Sequence, residues 1–267
     1  MKQKTAIICL SRVNGGMELA SVKLARLLSQ DLEVEFIARD NSYIVNRKEH
    51  FENYNVKVHI VEFSSNFSFK LIFKIRKILK ENNIKNVIFL GASEMKSIYF
   101  ATLGLNINFI IRQGSKKTTS KKDIFHKLLY KNVNYFVGNC EYMRKNIINI
   151  LPIPKNATVT RIYSSLKLQE NVNFKALNNT IDLVHVGRIN KGKGQLEAIK
   201  ACEILFENNI DFNIKFLGDI QDKDYYKQIE NYMHNLPYKN KIEFVGYTSN
   251  IKDYLQKSDI FIFPSLG

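Results

Sequence analysis

Two cations at fixed spacing carry the strongest chemical signal in this chain. In "HVGRINKGKGQ", His185 to Gln195, Arg188 and Lys193 stand among Gly187, Gly192 and Gly194. Arginine offers a planar fork of donors for phosphate oxygens, and lysine offers a compact point charge. Glycines at 192 and 194 let a ligand approach the backbone. A helix beginning just after Lys193 would add its positive N-terminal end. The chemistry indicated is diphosphate binding without a metal. A solvated loop in a lysine-rich chain is the alternative reading of the same residues.

The stretch also resembles a nucleoside triphosphate loop, but Gly194 stands where that loop needs a Ser or Thr hydroxyl to hold Mg²⁺. "IKFLGD", ending at Asp219, is a poor stand-in for the acidic strand that such a site requires. A G-x-G-x-x-G fingerprint follows neither candidate first strand, which weighs against a dinucleotide-dependent oxidoreductase. Asp222 and Asp224 form a D-x-D, yet two acids there suit the start of a helix at 223 better than a metal. The five histidines are scattered without ligand spacing, and His185 reads as a satisfied core residue on a buried strand. No metal and no cofactor is expected. Cys9, Cys140 and Cys202 lie far apart, as in a reduced, cytoplasmic protein.

The elements that must position these residues alternate along the chain. "TAIICL", "LEVEFIA", "VKVHIVEF", "NVIFLGA", "NINFIIR", "NYFVGN" and "ATVTRIY" read as short buried strands. Helical apolar spacing separates them, over 17–29, 67–83, 94–103, 121–132 and 140–150. Residues 166–180 are polar and aperiodic and read as a linker. Alternation resumes with strands at 181–187, 212–217, 241–246 and 259–263 and helices at 194–208, 223–235 and 250–257. Such a pattern predicts an α/β protein of two doubly wound Rossmann-like domains, 1–165 and 181–267, each a parallel sheet covered on both faces.

Charge divides between these halves. Residues 1–165 hold 27 Lys and Arg against 12 Asp and Glu, whereas 166–267 hold 13 of each. The whole excess of +15 therefore lies in the first domain, which points to one surface that meets anions. Arg112, Lys116, Lys117, Lys121, Lys122, Lys127 and Lys131 concentrate it, opposed only by Asp123. Anionic lipid headgroups would be attracted there by roughly 1 kcal/mol per nearby cation. No nucleic-acid module is visible, so nucleic acid is not expected as a partner. The only apolar run near the start, Ala6 to Leu10, is too short for a signal peptide.

"VGRINKGKGQLEAIKA" resembles the G-R-x-x-x-x-K-G signature of family 4 glycosyltransferases of the GT-B fold. "NGGMELASVKLARLL", "NCEYMRKNI", "FLGD", "EFVGYT" and "DIFIFPS" resemble further segments of that family, in the same order. The resemblance implies a retaining transferase that moves a sugar from a nucleotide-sugar to a saccharide or lipid-linked acceptor. Assembly of lipopolysaccharide or surface polysaccharide, at the inner face of the cell membrane, is the setting it suggests. It assigns Arg188 and Lys193 to the departing diphosphate as the catalytic cations. Gly15 and Gly16 would close over diphosphate and sugar, Gly218 would face the nucleotide, and Tyr247 and Thr248 would lie by the base. The region of Arg112, Lys116, Lys117, Lys121 and Lys122 would lie on the acceptor side.

Departures from the family pattern accompany the match. Arg112 and Gln113 stand where many members carry a sugar-facing His, and "RIYSS" replaces a usual Asn. The E-x₇-E motif, whose first Glu touches the donor sugar, would follow Gly267. The expectation is therefore a second domain that is incomplete and a 267-residue form that at most binds nucleoside diphosphate. A non-catalytic remnant is one rival reading. A sugar-phosphate-handling enzyme of the same fold, such as an epimerase or a phosphorylase, is another, although the acidic and histidine constellations of the epimerases are missing.

Overall fold

The computed structural model describes residues 3–13, 15–91, 93–164 and 179–265. The chain divides into two compact units, Met1–Lys167 and Leu168–Gly267. The linker expected over 166–180 falls almost wholly outside the described residues.

The first unit runs β1 (Lys4–Cys9), α1 (Gly16–Leu28), β2 (Glu33–Arg39), β3 (Val56–Val61), α2 (Phe69–Glu81) and β4 (Asn86–Phe89). It continues with α3 (Met95–Thr102), β5 (Asn108–Gln113), α4 (Ile124–Tyr130), β6 (Tyr135–Gly138), α5 (Glu141–Ile150) and β7 (Thr158–Arg161). The seven strands form one parallel sheet in the order β3-β2-β1-β4-β5-β6-β7. Every connection is a crossover through a helix or loop, as parallel pairing requires. The apolar stripe of α2 drives one such crossover: Leu71, Ile72, Ile75, Ile78 and Leu79 are all buried. Ser68 caps this helix by accepting from Leu71 N–H. Burying each of those side chains contributes about 1.5–3 kcal/mol.

The second unit runs β8 (Ile181–Val186), α6 (Gln195–Glu207), β9 (Phe212–Leu217), α7 (Lys223–Met233), β10 (Ile242–Gly246), α8 (Ile251–Lys257) and β11 (Ile260–Phe261). Its four parallel strands are ordered β10-β9-β8-β11. Asp222 accepts from Tyr225 N–H at the start of α7, so this acid of the D-x-D is a helix cap.

Coverage of this second sheet differs from expectation. Phe212, Ile214 and Phe216 of β9 are fully buried on one face. The alternate residues Asn213 and Lys215 instead line a cavity of about 670 Å³ together with Asp182, Glu243 and Tyr254. Lys215 pairs with Glu243 at 2.7 Å there. Alternating polar positions make this face half-wet, because a parallel sheet sealed on both faces needs apolar side chains at successive positions.

In both sheets the order in which strands are added reverses next to the first strand. The reversal falls between β1 and β4 in the first unit and between β8 and β11 in the second. Ligands of open α/β sheets bind beyond the carboxyl ends of strands at such switch points.

Candidate functional site

In the second unit the chain leaves β8 at Gly187 and passes through Arg188 into a short 3₁₀ turn, Lys191–Lys193, before α6 begins. Three contacts shape this turn. Ile189 bridges to Ile220 beside the sheet. Gln195, fully buried, donates through Nε2 to the Arg188 carbonyl at 3.0 Å. His185, also fully buried, donates from Nε2 to the Lys193 carbonyl at 2.9 Å. The two side chains hold the turn from beneath, one behind each cation.

The cations themselves differ. Arg188 is exposed, and among the described residues no carboxylate or carbonyl accepts from its guanidinium. Lys193 is half-buried, with its ammonium 5.2 Å from the centre of the Phe263 ring. The ring's electron-rich face attracts the ammonium and gives it a fixed direction. Residues after β11 complete the turn: Ser265 Oγ donates to the Gly192 carbonyl at 2.9 Å. The switch-point crevice thus joins "GRINKGKG" to "FPS" within one unit.

Gly194 and Gly218 are required by the fold itself. Gly194 has φ +73°, and a Cβ there would stand 2.1 Å from the Pro264 carbonyl oxygen. Its missing side chain is therefore required by the protein's own backbone. Gly218 has φ +146°, and its amide donates to the Gly246 carbonyl at 2.8 Å. Tyr247 is half-exposed immediately after β10, and Thr248 Oγ1 accepts from Asn250 N–H at 3.1 Å.

His185 is less satisfied than expected. Its Nδ1 is buried and has no hydrogen-bond partner among the described residues. Burial lowers its pKa, with a weaker opposing effect from the Lys193 carbonyl. The ring is therefore neutral, with the proton on Nε2.

In the first unit a cleft of about 270 Å³ opens at the β1/β4 switch point. Its floor includes Leu10, Leu90 and Ile111, and its rim carries Arg12, Arg39, Glu94, Arg112, Lys117 and Lys121. The predicted basic set therefore separates. Arg112, Lys117 and Lys121 line the cleft, whereas Lys116 and Lys122 are exposed outside it. Lys116 instead lies 5.8 Å from the Tyr142 ring centre. Arg112 donates to Ser164 Oγ at 3.3 Å. Burial lowers the pKa of Arg112, and burial followed by the Lys117 charge lowers that of Lys121. Burial raises the pKa of Glu94 despite the nearby Arg39.

Gly15 and Gly16 begin α1 near this cleft. Gly15 is extended, and a Cβ there would meet Glu18 Oε2 at 2.9 Å. Nothing lies within 4 Å of a Cβ built on Gly16.

Gln195, Arg39, Glu94 and Pro264 escaped the sequence reading. The first could have been found as a polar residue at the start of an otherwise apolar helix face. Glu94 follows a strand end beside the switch point, but strand order is not legible in a linear pattern. Among the described residues no group of three His, Cys, Asp or Glu gathers as a metal site.

Two α/β units with parallel sheets, the second presenting an Arg/Lys turn at its switch point, define a GT-B-type architecture. Residues 167–266 match the family model described as glycosyl transferases group 1. Over 268 aligned residues the chain is 28% identical to the capsular polysaccharide biosynthesis glycosyltransferase CapH of Staphylococcus aureus, covering 96% of this chain and 73% of that protein. A glycosyltransferase from Rickettsia africae superposes with TM-score 0.79 at 18% identity, covering 99% of this chain and 73% of the other. Anabaena HepE, solved with UDP-glucose, superposes with TM-score 0.71 at 15% identity, covering 98% and 74%. The second unit thus carries the group 1 glycosyl transferase match, and the chain as a whole shares the fold of these solved glycosyltransferases.

Proposed function

We propose that this protein transfers a sugar from a nucleotide-sugar to a saccharide or lipid-linked saccharide acceptor during assembly of a capsular or lipopolysaccharide-type surface polymer. The observation that carries the proposal is Arg188. It is an exposed guanidinium without an anionic partner among the described residues, on a turn held by buried Gln195. Arg188 and Lys193 receive the diphosphate of the donor. As the glycosidic bond breaks, charge builds on that diphosphate, and both cations bind it more strongly than in the ground state. The half-exposed Tyr247 ring offers a face to the base, and the Thr248 hydroxyl keeps a proton to donate to it. Gly218, beside the β10 end, is proposed to face the nucleotide, and Gly15 and Gly16 to contact diphosphate and sugar; of the three, Gly16 alone has open space where a Cβ would stand. The proposed reaction uses no metal or other cofactor.

The acceptor is assigned to the first unit, which carries the whole charge excess. On α4, Ile124 is 86% exposed and Phe125 and Leu128 are about half exposed, next to Lys122 and Lys127. Apolar side chains beside lysines suit an anionic membrane surface better than nucleic acid, whose phosphates need no exposed isoleucine. The proposed location is the cytoplasmic face of the cell membrane, bound peripherally. Among the described residues no helix is long and apolar enough to cross a membrane.

HepE is described with UDP-glucose, so UDP and UDP-glucose are the first probes. Calorimetric titration of UDP into the wild type and Arg188→Ala, followed by assay of sugar release and transfer, tests the proposal. The anomeric configuration of the product, read by NMR, tests retention. Absence of binding and turnover with every nucleotide-sugar would leave only a non-catalytic remnant.

A further inference from the structure

We propose that the cleft of the first unit is a subsite for an anionic group carried by a sugar, held by Arg112, Lys117 and Lys121. The inference deepens the transferase reading and rests on it for calling this ligand the acceptor. Three observations support it.

The first is charge without pairing. Arg112 is half-buried, and Lys117 and Lys121 stand near enough for the charge of one to depress the pKa of the other. Among the described residues none of the three makes an ion pair. Elsewhere in the same unit several arginines reach carboxylates. Arg144 and Arg161 both reach Glu141, at 2.7 and 2.9 Å, and Arg12 reaches Asp40 at 3.0 Å. Gathering like charges around a partly desolvated guanidinium opposes folding, and an incoming anion reverses that penalty.

The second is position. The cations stand on β5 and the segment after it, beside the β1/β4 switch point where a doubly wound sheet offers its crevice. Lys121 is anchored there by its backbone amide, which donates to Ile150 O at 2.8 Å. Lys117 is anchored likewise through Asn146, which accepts from its amide at 3.0 Å and donates to its carbonyl at 2.9 Å. The ammonium groups are thus carried on a pinned backbone rather than on a free loop.

The third is size. A volume of about 270 Å³ lies just below the roughly 300–1,000 Å³ typical of small-molecule sites. It admits one monosaccharide and its charged substituent, not a whole nucleotide-sugar. Glu94, also on the rim, supplies the acceptor for a sugar hydroxyl. Phosphate and carboxylate share the chemistry these cations recognise.

The test is calorimetric titration of glucose 1-phosphate, glucuronate and uncharged methyl glucoside into the complete chain, with and without saturating UDP. The subsite is supported if one or both anionic sugars bind about tenfold tighter than methyl glucoside, with UDP present. Tighter binding of glucose 1-phosphate assigns a phosphate, and tighter binding of glucuronate assigns a carboxylate on the saccharide. Arg112→Gln should weaken that binding about tenfold, as loss of a charge-assisted contact predicts. Lys117→Gln and Lys121→Gln, on more exposed side chains, provide folded variants if Arg112→Gln unfolds. UDP affinity should remain within about twofold in all three variants. Equal affinity for charged and neutral sugars, or no binding of either anionic sugar, overturns the subsite. So does anionic binding that UDP displaces and Arg188→Ala abolishes, because the anion then occupies the second unit. Failure of UDP to bind the wild type would instead overturn the donor reading, whatever the cleft does.

Discussion

Gly218 lies directly against Gly187: a Cβ at position 218 would stand 2.3 Å from the Gly187 carbonyl oxygen. The contact brings the ends of β9 and β8 together just where the chain turns into Arg188. With φ +146°, position 218 also has a backbone conformation that L-residues rarely adopt. Gly218→Ala therefore combines steric overlap with backbone strain, and the strain alone costs about 1–3 kcal/mol. Thermal unfolding should show a lower midpoint, and UDP affinity should fall because the Arg188 turn is displaced.

Arg188→Ala and Lys193→Ala should each weaken UDP binding by about 1.5–3 kcal/mol, the worth of a charge-assisted hydrogen bond. Arg188→Ala should leave the unfolding midpoint unchanged, because Arg188 is exposed and its carbonyl, not its side chain, anchors the turn. Lys193→Ala also removes the contact with Phe263 and should lower the midpoint slightly. Adding Mg²⁺ or a chelator should change neither affinity. Unaltered UDP affinity in both variants would remove the diphosphate site.

His185 makes the second unit sensitive to acid. Its folded pKa lies below the ordinary 6.5, so the unfolded chain takes up the proton first as pH falls. Stability is then fully present above 6.5 and is lost as pH drops through that value toward the lower folded pKa. His185→Gln, which can still donate to the Lys193 carbonyl, should flatten this dependence. Chemical denaturation from pH 7.5 to 5 measures it, and identical slopes for both proteins would exclude His185 as the cause.

Glu94 behaves in the opposite sense. Burial raises its folded pKa, so its carboxyl favours the folded state only while protonated, and this contribution is lost as pH rises through the folded value. Glu94→Gln should raise the unfolding midpoint at neutral pH and leave it unchanged near pH 3. If the cleft holds a sugar hydroxyl through this carboxylate, the same variant should weaken sugar binding while it stabilises the fold.

Membrane attachment through α4 should depend on both apolar contact and charge. Ile124→Ser should reduce co-sedimentation with anionic vesicles at all salt concentrations. Lys116→Gln with Lys122→Gln should reduce it chiefly at low salt, where roughly 1 kcal/mol per cation is unscreened. Equal binding to neutral and anionic vesicles would reduce the basic surface to a solubilising role.

The sequence by itself determined the alternation of strand and helix, and with it the α/β class. Segments such as "TAIICL" and the Leu71–Leu79 stripe carry their periodicity openly. Arg188 and Lys193 were legible too, because residue type and spacing are local properties. Tertiary structure decided what these residues meet. Gly194 answers to Pro264, seventy residues on, and Gly218 to Gly187, because parallel strands bring together backbones that are distant along the chain. The same packing separated Arg112, Lys117 and Lys121 from Lys116 and Lys122, neighbours in sequence that face different surroundings. It also left Glu94 and the Nδ1 of His185 in surroundings that shift their protonation. Desolvation and unpaired charge arise only when separate segments close around a group, so no linear pattern could have shown them.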